Sequence, residues 1–246
     1  MNINDVIKKV TEEVYKQMGT SGETAQNTGG NFELAGHIEH SILNPDMTRE
    51  KVIRECALAR QYKFANVCVT PYFVREAAEA LRTCNVGVCA PVGFPQGAAS
   101  TAAKLCEIKE CVANGATELD VELNIVAIKS GEFDEMKREL KAMVDAAGHG
   151  VKVKAIYEQG LLTDEEKKKT LEIIRDVAPA YVKISNALTG KAACKDDVAF
   201  VKAIVGNSVK IKIDGGIKTA AFASEILASG ADRIGCSASV AIVTGG

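Results

Sequence analysis

The feature that most constrains this chain is a rhythm repeated eight times. A short run with two-residue periodicity is followed, again and again, by a longer run with helical periodicity. The β-like runs fall at 36–43, 64–70, 87–93, 117–124, 152–158, 181–186, 208–214 and 232–237. Helical patterns lie between them, as at 48–62 and 134–147. Thr163, with Glu166 three residues on, marks another helix start. Eight strands each followed by a helix predict an α/β fold, the (β/α)8 or TIM barrel. At 246 residues the chain suits a single barrel domain, here 32–246, with an N-terminal appendage.

Several of these strands carry charge on one face. "ELDVELN" (118–124) alternates Leu119, Val121 and Leu123 with Glu118, Asp120, Glu122 and Asn124. "VKVKAIYE" (151–158) carries Lys152 and Lys154, and "VKIKIDGG" (209–216) carries Lys210, Lys212 and Asp214. A barrel strand has one face toward the apolar helix ring and one toward the interior. The apolar sets belong to the ring, so the charged sets point inward. Burying an isolated charge costs several kcal/mol, so these groups must neutralise one another or do chemistry.

Composition narrows the function classes. The chain is 47% hydrophobic and 25% charged with a net charge of −2, and it has no long basic run to bind nucleic acid. No apolar stretch approaches the roughly 18 residues of a membrane span, and charges interrupt the N-terminus where a signal peptide would need an apolar core. Cys56, Cys68, Cys84, Cys89, Cys106, Cys111, Cys194 and Cys236 include no Cys-x-x-Cys pair and read as reduced, buried thiols of a cytosolic protein. His37 and His40, three apart on a strand, point to opposite faces and predict no shared metal. No histidine cluster accompanies the carboxylates, so no metal is expected.

Lysine chemistry fits this pattern. A buried neutral amine attacks a carbonyl to form a Schiff base once desolvation or a neighbouring cation lowers its pKa. Lys183 and Lys212 sit on the sixth and seventh strands with matching inward phase, one as nucleophile and one as its electrostatic perturber. Asp120 supplies proton transfer near the carbinolamine. The last two strands end in "DGGI" (214–217) and "GCSAS" (235–239). On this fold those loops often hold a phosphate, through Gly215, Gly216, Gly235 and Ser237 here. A salt-bridged interior without chemistry is the plainer alternative.

The segments "IEHSILNPD", "FANVCVTP", "VGFPQGA", "ATELDVELN", "LLTDEE", "YVKIS", "KIDGGI" and "RIGCSASVAIV" resemble the deoxyribose-phosphate aldolases, over about 34–243. The resemblance implies that Lys183 is the Schiff-base lysine, Lys212 the second lysine that depresses its pKa, and Asp120 the acid/base. It implies reversible cleavage of 2-deoxyribose 5-phosphate to acetaldehyde and glyceraldehyde 3-phosphate, without a cofactor and in a homo-oligomer. After the nucleophile the family usually has Thr-Ser-Thr-Gly, and this chain has Ile184, Ser185, Asn186 and Ala187. Ser185 is kept as a substrate-binding residue, and Gly190 or Lys191 stands in for the lost glycine. Glu39 and Ser41 replace the family's Asp and Thr, and Glu122, Lys210 and Asp214 replace apolar or small residues. These three either pair inside the barrel or reshape the pocket. Another phosphorylated sugar, or a non-catalytic barrel with a binding role, are the alternatives. Cys68 reads as a packing residue.

Residues 1–18 form an amphipathic helix with apolar residues at Ile3, Val6, Ile7, Val10, Val14 and Met18. Residues 19–31 have the composition of a flexible linker. This pairing resembles the encapsulation peptides that target enzymes to bacterial microcompartments, which implies a shell-protein partner. Docking on its own barrel or self-association is the alternative. A membrane surface fits least, because acidic residues offset Lys8, Lys9 and Lys16.

Overall fold

A computed structural model describes residues 3–19, 32–185, 188–192 and 194–245. Helix α1 (Ile3–Gly19) precedes the barrel. Then follow β1 (Ile38–Ile42), α2 (Arg49–Tyr62), β2 (Asn66–Val69), α3 (Val74–Leu81), β3 (Gly87–Val92), α4 (Thr101–Ala113) and β4 (Glu118–Glu122). A short α5 (Ile125–Lys129) leads into α6 (Phe133–Ala147), β5 (Lys152–Glu158), α7 (Asp164–Val177) and β6 (Tyr181–Ser185). The chain closes with α8 (Lys195–Val205), β7 (Lys210–Asp214), α9 (Ala220–Ala228), β8 (Arg233–Cys236) and α10 (Ser239–Thr244). The eight strands are parallel and form a closed barrel in chain order, β8 pairing back onto β1. Each expected strand is present, shortened at one or both ends in most cases.

The alternation sorts as the sequence requires. Leu119 and Val121 of β4, Val153, Ala155 and Tyr157 of β5, Val182 and Ile184 of β6, and Ile211 and Ile213 of β7 are buried in the main hydrophobic core. Thr48, Ser100, Asn124, Thr163 and Thr219 cap the helices that follow strands, each accepting a backbone N–H in the first turn. At α7 the capping box is complete, with Thr163 N–H donating to Glu166 Oε2 at 2.8 Å.

Some expectations fail. Cys56, Cys68, Cys89, Cys111 and Cys236 are buried, but Cys106 and Cys194 are exposed. Both lie on or beside helices, where a 3.6-residue period turns some apolar positions outward. Lys210 does not join Glu122 and Asp214. It lies at the start of β7, exposed, with its ammonium 5.8 Å from the ring centre of Tyr181. His37 ends a short 3-10 turn (Phe32–His37) and only His40 is a strand residue, its ring nitrogens meeting Ser239 Oγ at 3.0 Å and Glu55 Oε2 at 2.8 Å. His37 Nδ1 lies 3.0 Å from the Asp232 carbonyl.

Helix α1 packs on the outside of the ring. Val6, Val10 and Val14 are buried against Ile53 and Ala57 of α2, with Ile3, Ile7 and Leu58 at the margin. The apolar stripe from Ile3 to Val14 is therefore packed on the protein's own α2. The linker expected at 19–31 lies outside the described residues apart from Gly19.

One buried ion pair ties the ring to the strands. Lys104 of α4 donates to Glu139 Oε2 of α6 at 2.9 Å and to the Glu122 carbonyl at 3.0 Å, and Thr101 Oγ1 donates to Glu139 Oε1. Lys104 and Glu139 are almost fully excluded from solvent. Lys104→Met leaves Glu139 buried without its cation, and should cost about 3–5 kcal/mol in a denaturant melt. Adding Glu139→Leu should recover much of that loss, because it removes the orphaned charge.

Candidate active site

The inward charges of β1, β4, β5, β6 and β7 meet on the barrel axis. Strand register puts Asp120 beside Lys154, and Lys183 beside Lys212. Asp120 is fully buried and is the centre of the group. Its Oδ1 accepts from Lys154 Nζ at 2.9 Å and from the Cys89 thiol at 3.1 Å. Its Oδ2 accepts from Lys183 Nζ at 2.7 Å and from Lys212 Nζ at 2.6 Å. Glu39 completes the ring, accepting from Lys154 at 3.0 Å and from Lys212. Asp214 Oδ2 lies 2.8 Å from Lys183 Nζ. Below, Glu118 takes Lys154 at 2.8 Å and Lys152 at 3.0 Å, and Asn66 bridges Glu39, Glu118 and Arg233.

The electrostatics follow from this packing. Burial opposes the charge on Asp120, but Lys154, Lys183 and Lys212 hold its carboxyl well below the usual range. Burial likewise opposes the charge on Glu39, and the same lysines draw its pKa down to about 2. Burial disfavours the ammonium of Lys183, yet Asp120 and Asp214 raise its pKa well above the ordinary lysine value. Lys212, expected to depress the pKa of Lys183, repels its ammonium, but in the resting site that repulsion is not what dominates. Two carboxylates touching Lys183 outweigh one neighbouring ammonium.

Sequence-predicted residues divide into two places. Lys183, Lys212 and Asp120 share the axial cluster. Gly215, Gly216, Gly235 and Ser237 line a cavity of about 400 Å³ beside it, with Ser41, Asn44, Asp214 and Lys218. Gly216 has φ +69°, where side chains are disfavoured. A Cβ on Gly235 would fall 2.0 Å from Asp214 Oδ1, so Asp214 occupies the space glycine leaves. Ser185 is not among these lining residues. It is buried at the end of β6, in register with Glu158. Gly190 and Lys191 are also absent from this lining, and Asn186 and Ala187 lie outside the described residues.

Sequence reasoning singled out Lys183, Lys212 and Asp120, gave Lys154 only a share in neutralising the inward carboxylates, and left Glu39 and Cys89 without roles. The inward phase of "VKVK" and "IEHSI" carried the signal for Lys154 and Glu39. Cys89 had none, since a thiol in an apolar run reads as packing. Cys68 is buried beside it, in register on β2. The donor atoms of Glu39, Cys68, Cys89 and Asp120 lie within 4.8 Å of one another. Lys154 Nζ already sits 2.9–3.1 Å from Asp120, Glu39 and Cys89, the place a cation would take.

The chain is 40% identical over 215 residues to a deoxyribose-phosphate aldolase of Staphylococcus carnosus, covering 87% of this chain and 97% of that one. It is 41% identical over 214 residues to one from Desulfitobacterium hafniense, with 87% and 98% covered. The chain belongs to the deoxyribose-phosphate aldolase family. The fold agrees with the tetrameric deoxyribose phosphate aldolase of Aeropyrum pernix, at TM-score 0.80 and 26% identity, covering 100% of this chain and 97% of that one. No protein-family model matches the sequence.

Among the described side chains of this aldolase, Glu122 breaks the pattern of pairing. It is fully buried, and neither carboxyl oxygen has a hydrogen-bond partner. Burial pushes its pKa up from 4.5 to about 9, against the pull of Lys183. Glu122 is therefore a neutral acid at pH 7. A carboxyl that binds its proton more tightly when folded favours the folded state below about pH 4.5 and loses that advantage as pH rises toward 9. Glu122→Gln removes this penalty. The variant should melt near the wild-type temperature at pH 4.5 and roughly 5–10 °C above it at pH 8, as read by calorimetry.

Proposed function

We propose that the protein cleaves 2-deoxyribose 5-phosphate reversibly to acetaldehyde and glyceraldehyde 3-phosphate through a Schiff base on Lys183. The observation that carries this reading is the shared Asp120 Oδ2, which joins Lys183 and Lys212 on adjacent strands. In the open-chain sugar, the Lys183 amine attacks the C1 aldehyde and water leaves to give an iminium. The iminium draws electrons from the C2–C3 bond as the C3 hydroxyl loses its proton. Glyceraldehyde 3-phosphate departs, and the enamine of acetaldehyde is protonated and hydrolysed. The iminium is the electron sink, so the reaction needs no cofactor.

Lys183 rests as an ammonium and must shed a proton before it attacks. Asp120 Oδ2, at 2.7 Å, is the contact through which that proton leaves. Lys212 keeps positive charge beside the forming iminium, and it holds Asp120 and Glu39 ionised. The cavity at Gly215, Gly216, Gly235 and Ser237 takes the phosphate, with Lys218 as its cation. Asp214 adds a carboxylate to that cavity and narrows what it accepts.

The enzyme works as a homo-oligomer, as the Aeropyrum pernix protein is described to be. For residues 1–18, the burial of Val6, Val10 and Val14 on α2 favours the docked reading over shell targeting. A microcompartment shell protein would have to draw α1 from this seat, because one apolar stripe serves one partner at a time.

Borohydride added with 2-deoxyribose 5-phosphate or acetaldehyde should fix a reduced adduct on Lys183, located by peptide mass spectrometry and lost in Lys183→Ala. An adduct on another lysine, or none, overturns the assignment. Deleting residues 1–20 should leave turnover per barrel within about twofold. If shell targeting also operates, the deletion abolishes co-localisation with a shell; unchanged co-localisation removes that role.

A further inference from the structure

Schiff-base formation needs an acid as well as an amine. The carbinolamine hydroxyl departs as water only when something protonates it. Asp120 takes the Lys183 proton at the start, but three lysines and the Cys89 thiol occupy its oxygens and favour its ionised form, so it holds that proton only in passing. Glu39 is tied to Lys154 and Lys212 in the same way. Neither Asp120 nor Glu39, the carboxyls that meet Lys183 and Lys212 in the ion-pair network, rests with a proton to give.

Glu122 supplies what is missing. It lies two residues beyond Asp120 on β4, on the same inward face and one step nearer the C-terminal mouth. Strand register runs from Glu122 to Ile156 of β5 and on to Lys183 of β6. Its two oxygens are buried and unpartnered. The β3–α4 loop covers it: Gly97, at φ +63°, comes so close that a Cβ there would lie 3.1 Å from Glu122 Cγ and 2.0 Å from the Leu123 carbonyl. An orphaned buried carboxyl costs stability, and such costs collect at sites with chemical work.

We propose that Glu122 is the general acid that protonates the carbinolamine hydroxyl on Lys183, a catalytic carboxyl additional to Asp120. The Glu122 O–H gives its proton to the hydroxyl, the C–O bond breaks, and the nitrogen lone pair forms the C=N bond. Water leaves, and the Glu122 carboxylate faces the new iminium cation. In hydrolysis the same carboxylate takes a proton back from the attacking water. Charged and titratable groups face Glu122 from each neighbouring element: Lys183 on β6, Glu158 on β5, Lys104 on α4 and Asp120 on its own strand. Lys104 is committed to Glu139 and to the Glu122 carbonyl, which leaves Lys183 as the cation that responds to the carboxylate.

This inference rests on the Schiff-base reading of Lys183, and the test separates the two. Acetaldehyde is mixed with enzyme and quenched with borohydride at intervals, and the adduct on Lys183 is counted at each time. Glu122→Gln should reach the wild-type final adduct about 10²-fold more slowly. The wild-type rate should fall above about pH 9, where Glu122 loses its proton, and the Gln variant should show no such fall. Acetic acid in the buffer should restore part of the rate in Glu122→Ala, whose cavity admits it. Wild-type speed and pH dependence in the Gln variant, or a slowed Ala variant that acetic acid leaves unchanged, overturns the role of Glu122. Absence of any adduct on wild-type Lys183 overturns the Schiff-base reading itself.

Discussion

Everything at the centre of this molecule depends on one carboxylate. Asp120 is buried on the barrel axis, and its two oxygens receive Lys154, Lys183 and Lys212. A lone charge in that position would be too costly to keep, as would three buried ammoniums without it. The remaining inward charges follow from this core. Glu39 and Glu118 answer Lys154, Asp214 answers Lys183, and Asn66 and Arg233 close the floor. The interior of the barrel is held by ion pairs where branched apolar residues usually fill it.

The same network sets the chemistry. A lysine that is to attack a carbonyl must be buried, yet burial with carboxylates holds it protonated. In the proposed reaction this is resolved through contact: the Asp120 oxygen that accepts from Lys183 is the path by which the proton leaves. Glu122 is the exception that balances the arrangement. It is neutral because burial disfavours its charge and no described group pairs with its carboxyl, and neutrality makes it a store of one proton near Lys183. Asp214 plays an opposite part, bringing charge to the cavity lined by Gly215, Gly216 and Ser237 through the gap at Gly235.

The N-terminal helix illustrates how one pattern permits two structures. The three- and four-residue spacing of Val6, Val10 and Val14 demands an apolar partner and does not name it. The surface offered by Ile53 and Ala57 of α2 supplies one. Burial of the stripe there converts an appendage that reads as a tethered signal into part of the outer ring.

The sequence by itself determined the eightfold β/α order, the strands, the faces of each strand and the three residues, Asp120, Lys183 and Lys212, that share the axial cluster. These follow from local rules: the two-residue alternation of side chains, the helical period and the capping residues. Tertiary structure alone decided which charges meet. Lys154 became the partner of Asp120 and Glu39, Lys210 turned out to solvent, and Glu122 was left unpaired, because barrel closure and register place residues far apart in the chain within 3 Å of one another or deny them any partner. It also decided the balance at Lys183, where contact with Asp120 and Asp214 raises the pKa against burial. Alternation fixes the direction of a side chain; only the closed barrel fixes what lies at the end of it.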